Sequence, residues 1–223
     1  MTAGAQSIPG AVLAKREPHH HLVYEDSALR VLRVRVAGHD TTLLHEHDPD
    51  YFWVGLGNST VINARLGSPD ATLVSGDLKF HYSFGKFAHV ARNPEATPFD
   101  NITVELLQPQ TDVHNLCEAA LADKPLDCES PAVASSGVVE HSALATAQLH
   151  VSLATIAPGA VLRAKTRATN AWVIALDSAD AGRRLVLGGA GKWVGGTYRT
   201  APGWAVSNRG QSSIRVIVVS QAR

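Results

Sequence analysis

Short runs in which apolar and polar residues alternate recur along the chain and predict β-strands. The clearest run covers residues 29–36, where leucine and valine occupy one face and Arg33 and Arg35 occupy the other, as a half-buried strand requires. Gly, Pro, Asn and Asp separate these runs, and long helical periodicity is scarce. This pattern is typical of an all-β sandwich or barrel. Further strands are predicted at residues 51–56, 59–64, 78–84, 102–107, 149–156, 171–176, 184–187, 193–198 and 214–219.

The order of these runs repeats between the two halves of the chain. In each half a strand ends in a glycine turn, an aromatic-rich strand follows, and a last strand comes after an asparagine. Such self-similarity indicates a duplicated architecture, and two barrels of roughly 100 residues suit a chain of this length. We expect an N-terminal arm over residues 1–18, a first barrel over 19–112, a linker over 113–137 and a second barrel over 138–223.

Composition and charge narrow the classes of partner. The chain is 45% hydrophobic and 18% charged, which is enough apolar material for a packed core. Lys+Arg and Asp+Glu number 20 each, so no overall positive field attracts nucleic acid or an anionic membrane surface. No apolar run reaches the roughly 18 residues that a membrane-spanning helix needs. We therefore expect a soluble protein that binds neither nucleic acid nor membrane.

Three histidines in the first half form a pattern suited to a transition metal. His45 and His47 are two residues apart on a predicted strand, so both side chains leave the same face. His89 follows beyond further predicted strands, and Asp50 adds a carboxylate three residues after the pair. Imidazole nitrogens suit Fe, Mn, Ni, Cu or Zn, and two ligands on one strand with one on a neighbour leave coordination positions open for substrate.

Two stretches around these histidines resemble the two sequence motifs of the cupin superfamily. The first, LLHEHDPDYFWVGLG, has Asp50 at the position of the motif's glutamate, counted back from Gly57. The second, GDLKFHYSFGKFAHVARN, has His89 at the third-histidine position and Asn93 four residues later. It lacks the usual proline and has one extra residue before His89.

The resemblance implies an all-β bicupin, with two cupin-type (jelly-roll, or double-stranded β-helix) barrels in tandem. It also implies one divalent transition metal in the first barrel, bound by His45, His47 and His89. Asp50 is one methylene shorter than the usual glutamate, so it either binds the metal as a fourth ligand or orients a ligand from behind.

The second barrel is expected to have lost the metal site. Its counterparts of the first two histidines fall in RAKTRATN, and one alignment places Lys165 and Arg167 there. An alignment shifted by one residue places Thr166 and Ala168 there instead. Trp204 stands at the third-histidine position, and a buried indole would fill a core rather than bind a metal. We therefore expect one site per chain and a degenerate second barrel.

Two residues near the motifs are further candidates for catalysis. His81 lies on a predicted strand whose alternate face is polar. If that face points into the barrel mouth, His81 can transfer protons, and if it points outward His81 is only surface. Tyr51 begins the aromatic-rich strand, where packing is the more common role of an aromatic ring.

A run of three histidines at residues 19–21 has a partly solvated lead-in strand as its default interpretation. Adjacent side chains on an extended segment point in opposite directions, so at most His19 and His21 would converge.

These features predict a mononuclear metalloenzyme that acts on a small organic molecule, with dioxygenase-like chemistry as the leading hypothesis. One alternative is a cupin lyase, isomerase or hydroxynitrile lyase in which the metal acts as a Lewis acid. Another is a non-enzymatic module that binds a metal or a small ligand, because one fold hosts many functions. Both a monomer and a homodimer fit the sequence.

The two cysteines leave the cellular compartment open. The N-terminus lacks the features of a signal peptide, which predicts the cytoplasm. Cys117 and Cys128 flank a short segment in which Pro125 can turn the chain back. A disulfide between them would indicate a periplasmic or secreted protein, whereas unpaired thiols would not.

Overall fold

The computed structural model describes residues 8–115, 125–126, 133–165, 170–176, 185–188, 193–194 and 196–222. Within these residues the chain forms β-strands and one turn of 3₁₀ helix at Ala14–Arg16. They divide into two compact units, the first with residues 8–109 and 125–126, the second with the remaining described residues. No helix in this part of the chain is long and apolar enough to cross a membrane.

The described strands are numbered in chain order. Those up to residue 126 are β1 (Val12–Leu13), β2 (His20–Glu25), β3 (Leu29–Val36), β4 (His45–His47), β5 (Tyr51–Gly55), β6 (Ser59–Arg65), β7 (Ala71–Ser75), β8 (Phe80–Ser83), β9 (Phe87–Arg92), β10 (Phe99–Leu106), β11 (His114–Asn115) and β12 (Pro125–Leu126). Those that follow are β13 (Val133–Ser135), β14 (Val138–Ala145), β15 (Leu149–Ile156), β16 (Val161–Arg163), β17 (Ala171–Ala175), β18 (Leu185–Gly188), β19 (Trp193–Val194), β20 (Thr197–Arg199), β21 (Ala205–Asn208) and β22 (Ile214–Gln221).

Two sheets pack against each other in the first unit. One has the strand order β1-β4-β9-β6-β7 and the other β12-β8-β5-β10-β3-β2. Their inner faces share one apolar core, to which the first sheet contributes Val61 and Phe87 and the second contributes Val34, Trp53 and Phe99. Strand β3 follows the predicted alternation, because its core-facing valines are buried while Arg33 and Arg35 are more exposed.

The second unit repeats this plan. Its larger sheet has the order β11-β14-β15-β22-β17-β20-β19, with β13 also paired to β14, and its smaller sheet has the order β16-β21-β18. The core between them includes Ile156, Trp204 and Val216.

In each unit one asparagine side chain forms the same hydrogen bond, to the last residue of a long strand. The side-chain nitrogen of Asn93 donates to the carbonyl of Val36, the last residue of β3, at 3.2 Å. The side-chain nitrogen of Asn208 donates to the carbonyl of Ile156, the last residue of β15, at 2.8 Å. The prediction of two similar all-β barrels is therefore confirmed.

The segments predicted as arm and linker contribute strands. In the described part of the predicted arm, β1 pairs in parallel with β4 at the edge of the smaller sheet. In the predicted linker, β11 and β13 pair with β14, and β12 pairs with β8. The cysteine pair lies outside the described residues, so the disulfide stays a prediction.

Candidate metal centre

Four buried histidine rings line a cavity of about 50 Å³ in the first unit. His45 and His47 lie on β4, His89 on β9 and His20 on β2. The ring centroid of His45 lies 4.6 Å from that of His20, 5.2 Å from that of His47 and 4.3 Å from that of His89. The structure therefore gathers the three predicted histidines and adds a fourth.

Strand register explains why these rings meet. His45 pairs directly with His89 across β4 and β9, and residues opposite each other in an antiparallel pair share a face. His20 pairs with Val34 across β2 and β3. Since Val34 points into the core, His20 does so too.

Each ring is held from behind by a hydrogen bond at Nδ1. The acceptors are a carboxylate, a backbone carbonyl, a second carboxylate and an amide oxygen. They are Glu17 for His20 (2.6 Å), Leu43 for His45 (2.9 Å), Glu105 for His47 (3.0 Å) and Asn63 for His89 (2.7 Å). Because these oxygens only accept, Nδ1 carries the proton in each neutral ring, and Nε2 keeps a lone pair. This is the arrangement in which proteins present histidine to a metal.

The donor atoms fit a bound transition metal. Nε2 of His45 and Nε2 of His89 are buried and have no hydrogen-bond partner among the described residues. One ligand atom from each of His20, His45 and His47 lies within 4.8 Å of the others. Ligands about 2.1 Å from one ion are at most about 4.2 Å apart, so a small side-chain movement would close this group on a metal.

For His20, His45 and His89, burial favours the neutral ring that binds metals. Burial, together with the electrostatic effect of the neighbouring His20 and His47, lowers the pKa of His45 to about 3. Burial also lowers the pKa of His20 and takes the pKa of His89 well below its ordinary value.

Glu17 is a buried carboxylate directly behind the centre. Its two oxygens accept hydrogen bonds from Nδ1 of His19 and Nδ1 of His20. Burial alone would raise the pKa of Glu17, but the bonds from His20 and His19 outweigh it and lower the pKa to about 2. Glu17 is therefore ionised beside His20, where its negative charge favours a cation.

Glu105 has the same role behind His47. Its carboxylate accepts from Nδ1 of His47 and forms an ion pair with Arg30. Burial acts to raise the pKa of Glu105, but the contacts with His47 and Arg30 lower it overall.

The structure does not bring Asp50 into the group of converging ligand atoms. One of its oxygens accepts the hydroxyl of Tyr82 at 2.6 Å, and the other accepts the backbone N–H of Gly85 at 2.9 Å. The shorter carboxylate thus fastens the turn before β9. Tyr51 lies beside the centre, with its ring stacked on His47 at 4.1 Å.

A second cavity of about 210 Å³, here called the outer chamber, adjoins the histidines and shares Tyr51, Trp53, Asn63 and Leu73 with their cavity. His81 lines it and is only 3% exposed. Its ring stacks on that of Trp53 at 3.8 Å with an interplanar angle of 8°. Of the two orientations considered for His81, the structure has the inward one.

Sequence reasoning missed His20, Glu17 and Glu105. The default interpretation of the histidine run was a partly solvated lead-in strand in which at most His19 and His21 could converge, yet His21 is exposed and His20 turns inward. Glu105 had a detectable signal, because it is the single charge in the apolar run ITVELL.

The second unit has a different polar group in its barrel. Glu140 pairs with Ala154, two residues before the end of β15, just as His20 pairs with Val34, two residues before the end of β3. The Glu140 carboxylate lies 3.1 Å from Nζ of Lys165 and accepts the hydroxyl of a neighbouring serine at 2.6 Å.

The fold is similar to those of several solved structures. AerE from Microcystis aeruginosa superposes with a TM-score of 0.64 at 11% identity, covering 92% of this chain and 94% of that chain. Bacillus subtilis oxalate decarboxylase, a protein with Mn(II) centres, superposes with a TM-score of 0.58 at 12% identity, covering 87% of this chain and 69% of that chain. No protein-family model and no curated protein matches the chain. At these identities the likeness shows the fold alone, which is the predicted tandem of cupin-type barrels.

Proposed function

We propose that this chain is a mononuclear metal-dependent enzyme that acts on a small organic molecule. Its first barrel would hold one divalent transition metal through His45, His47 and His89, with His20 as a further ligand. The observation that carries the proposal is the set of four buried imidazoles, each anchored at Nδ1 by a fixed acceptor. Such anchoring fixes both the tautomer and the ring orientation before a metal arrives.

A divalent metal held by neutral imidazoles supplies a Lewis acid or a redox centre at its open coordination positions. The residues around it divide the remaining tasks. Glu17 and Glu105 place two negative charges behind the rings and so favour the cation. Tyr51 and Trp53 line both the histidine cavity and the outer chamber, and their rings place apolar surface beside the reacting group.

Dioxygenase-like chemistry is the leading reaction class. The all-imidazole set resembles that of cupin dioxygenases. Lewis-acid lyase or isomerase chemistry is the second candidate, because His81 supplies a proton-transfer group in the outer chamber. Such reactions need a base or acid within reach of the substrate.

Metal loading followed by two turnover assays separates these classes. The protein would be loaded with Fe(II) without oxygen, then mixed with a panel of β-dicarbonyl and catechol-like compounds while oxygen uptake is recorded. Uptake supports the dioxygenase class, and turnover without oxygen in the Mn(II) or Zn(II) form supports the lyase class. A protein that gains stability from metal but turns over nothing is the non-enzymatic binding module instead.

The second barrel, in this proposal, has no metal site. Glu140 corresponds to His20, and Lys165 corresponds to His45 in the alignment that places Lys165 and Arg167 at the first two histidine positions. These two residues form an ion pair. Trp204, at the third-histidine position, is buried in the core. Metal analysis of purified protein is expected to give one ion per chain, and the His45→Ala variant is expected to give none. Two ions per wild-type chain would contradict this assignment.

A further inference from the structure

The outer chamber has the size of a small planar molecule. Its volume is about 210 Å³, and a cavity of about 150 Å³ accommodates benzene. A single ring with one short substituent therefore fits. Because Trp53 and Asn63 line both this chamber and the histidine cavity, a molecule held there lies beside the metal centre.

The lining of the chamber carries positive charge without negative charge. Arg65 and His81 are its basic side chains, and none of the described residues that line either cavity is an aspartate or a glutamate. Any metal among the four histidines would add to the positive potential. A cleft lined by one sign of charge favours ligands of the opposite sign.

Arg65 is positioned to hold a carboxylate. It pairs with His89 across β6 and β9, so it belongs to the strand segment next to the metal centre. Its guanidinium carbon lies 3.8 Å above the ring of Phe87, and this stacking limits how the planar group can turn. A guanidinium binds a carboxylate through two parallel hydrogen bonds.

Flat apolar surfaces complete the chamber. Trp53, in its stack with His81, forms one wall, and Tyr51 and Phe87 lie 6.1 Å apart at the side of the histidines. Aromatic walls favour a planar, unsaturated body over a flexible polar chain.

We propose that the substrate is a small planar monocarboxylate, and that Arg65 is the residue that selects its carboxylate. This inference rests on the proposed function, because a molecule bound in this way is a substrate only if a metal lies beside it. Arg65 would hold the carboxylate while the rest of the molecule faces the metal. The binding itself does not require the metal.

Calorimetric titration of the full chain with benzoate and with benzamide, its neutral isostere, tests the proposal. Each compound would be titrated into the Zn(II)-loaded protein and into the metal-free protein. We expect benzoate to bind at least about tenfold more tightly than benzamide in both forms, since a charge-assisted pair adds about 1.4 kcal/mol or more.

Variants assign the preference to Arg65. Arg65→Gln is expected to remove the preference for benzoate in both forms while the metal content stays at the wild-type value, and Arg65→Lys is expected to restore part of it. Arg92→Gln is the matched control, because Arg92 lies on β9 and pairs with Asp70 at the surface. It is expected to bind both probes as the wild type does.

Equal affinity for the two probes, or a benzoate preference that survives Arg65→Gln, overturns the proposal. A preference that exists only with Zn(II) and survives Arg65→Gln shows that the metal, not Arg65, holds the carboxylate. A protein that binds no metal but keeps an Arg65-dependent preference contradicts the proposed metal function and leaves the carboxylate subsite standing.

Discussion

The ring of His20 lies 4.6 Å from the ring of His45, although the two residues come from strands of opposite sheets in the first unit. Neither ring is presented by a loop. Strand β2 brings His20 over the core through its pairing with β3, and β4 brings His45 to the same point from the facing sheet. A metal bound by both would therefore join the two sheets.

His20 is expected to be a metal ligand, and its removal is expected to weaken metal binding. His20→Ala removes one of three ligand atoms that lie within 4.8 Å of one another, so the metal affinity should fall at least about tenfold. Competition with a chromophoric chelator measures the change. His21→Ala is the control, because His21 is the exposed neighbour on the same strand. Equal losses in the two variants, or none in His20→Ala, would rule His20 out as a ligand.

Glu105→Gln should weaken metal binding without removing it. The amide keeps the shape of the carboxylate but loses the charge that it places behind His47. Loss of such an outer partner typically costs about 10- to 100-fold in metal affinity. Glu25→Gln is the matched control, because Glu25 also pairs with Arg30 but lies at the surface. If the two variants bind metal equally well, the charge of Glu105 has no part in the centre.

Metal should stabilise the folded chain. Ligand atoms from both sheets converge in the native state and separate on unfolding, so a metal at about 100 times its dissociation constant should add about 2.7 kcal/mol. Urea unfolding with and without Zn(II) measures this difference. His45→Ala should show none of it, whereas a stabilisation that persists in this variant would place the metal elsewhere.

Gly85→Ala should destabilise the first unit. A β-carbon at this position would collide with the backbone carbonyls of Asp48 and Pro49, which cannot move aside as a side chain can. Overpacking of this kind typically costs about 1–3 kcal/mol. Gly76→Ala is the control, because a β-carbon there meets only the flexible side chain of Lys79. Urea unfolding compares the two variants. Equal free energies of unfolding would show that the turn before β9 can adjust its backbone to a β-carbon at little cost.

The second unit should lose stability on mild acidification through His150. Burial lowers the pKa of His150 from its ordinary value of 6.5, Lys165 lowers it further, and Glu140 opposes this. Because the folded state favours the neutral ring, the stability from His150 is complete above pH 6.5 and declines as pH falls toward the lower folded-state value.

Unfolding free energies between pH 7 and pH 5 test this expectation. His150→Gln should have a shallower pH dependence than the wild type, by at most about 1.4 kcal/mol per pH unit. His141→Gln, which changes an exposed histidine on the neighbouring strand, should keep the wild-type slope. Parallel curves for wild type and His150→Gln would exclude His150 as the source.

Alternation and motif spacing were sufficient to predict the all-β fold and its duplication, and they selected His45 and His47, whose ligand atoms converge with that of His20. These features depend on local periodicity and spacing, which can be read directly from the sequence. The role of His20 depends instead on the register between β2 and β3. A shift of one residue would have turned His19 and His21 inward, and nothing in the run of three histidines selects between the two.

The position of Asp50 was beyond sequence reasoning for a similar cause. Spacing placed it where the motif has a glutamate, but its partners Tyr82 and Gly85 are more than 30 residues away. A carboxylate binds the nearest donors that its short side chain can reach, and only the folded turn shows which these are. Glu17 could not be found at all, because its function depends on the inward turn of His20.

Strand β12 has a practical consequence for dissecting the protein. Pro125 and Leu126 pair with His81 and Phe80, so this short strand covers the outer edge of β8. A fragment that stops at residue 109 would leave the backbone N–H and C=O groups of β8 open to pairing with other molecules. Such a fragment should aggregate even with every proposed metal ligand intact, and a soluble N-terminal half would have to extend past Leu126.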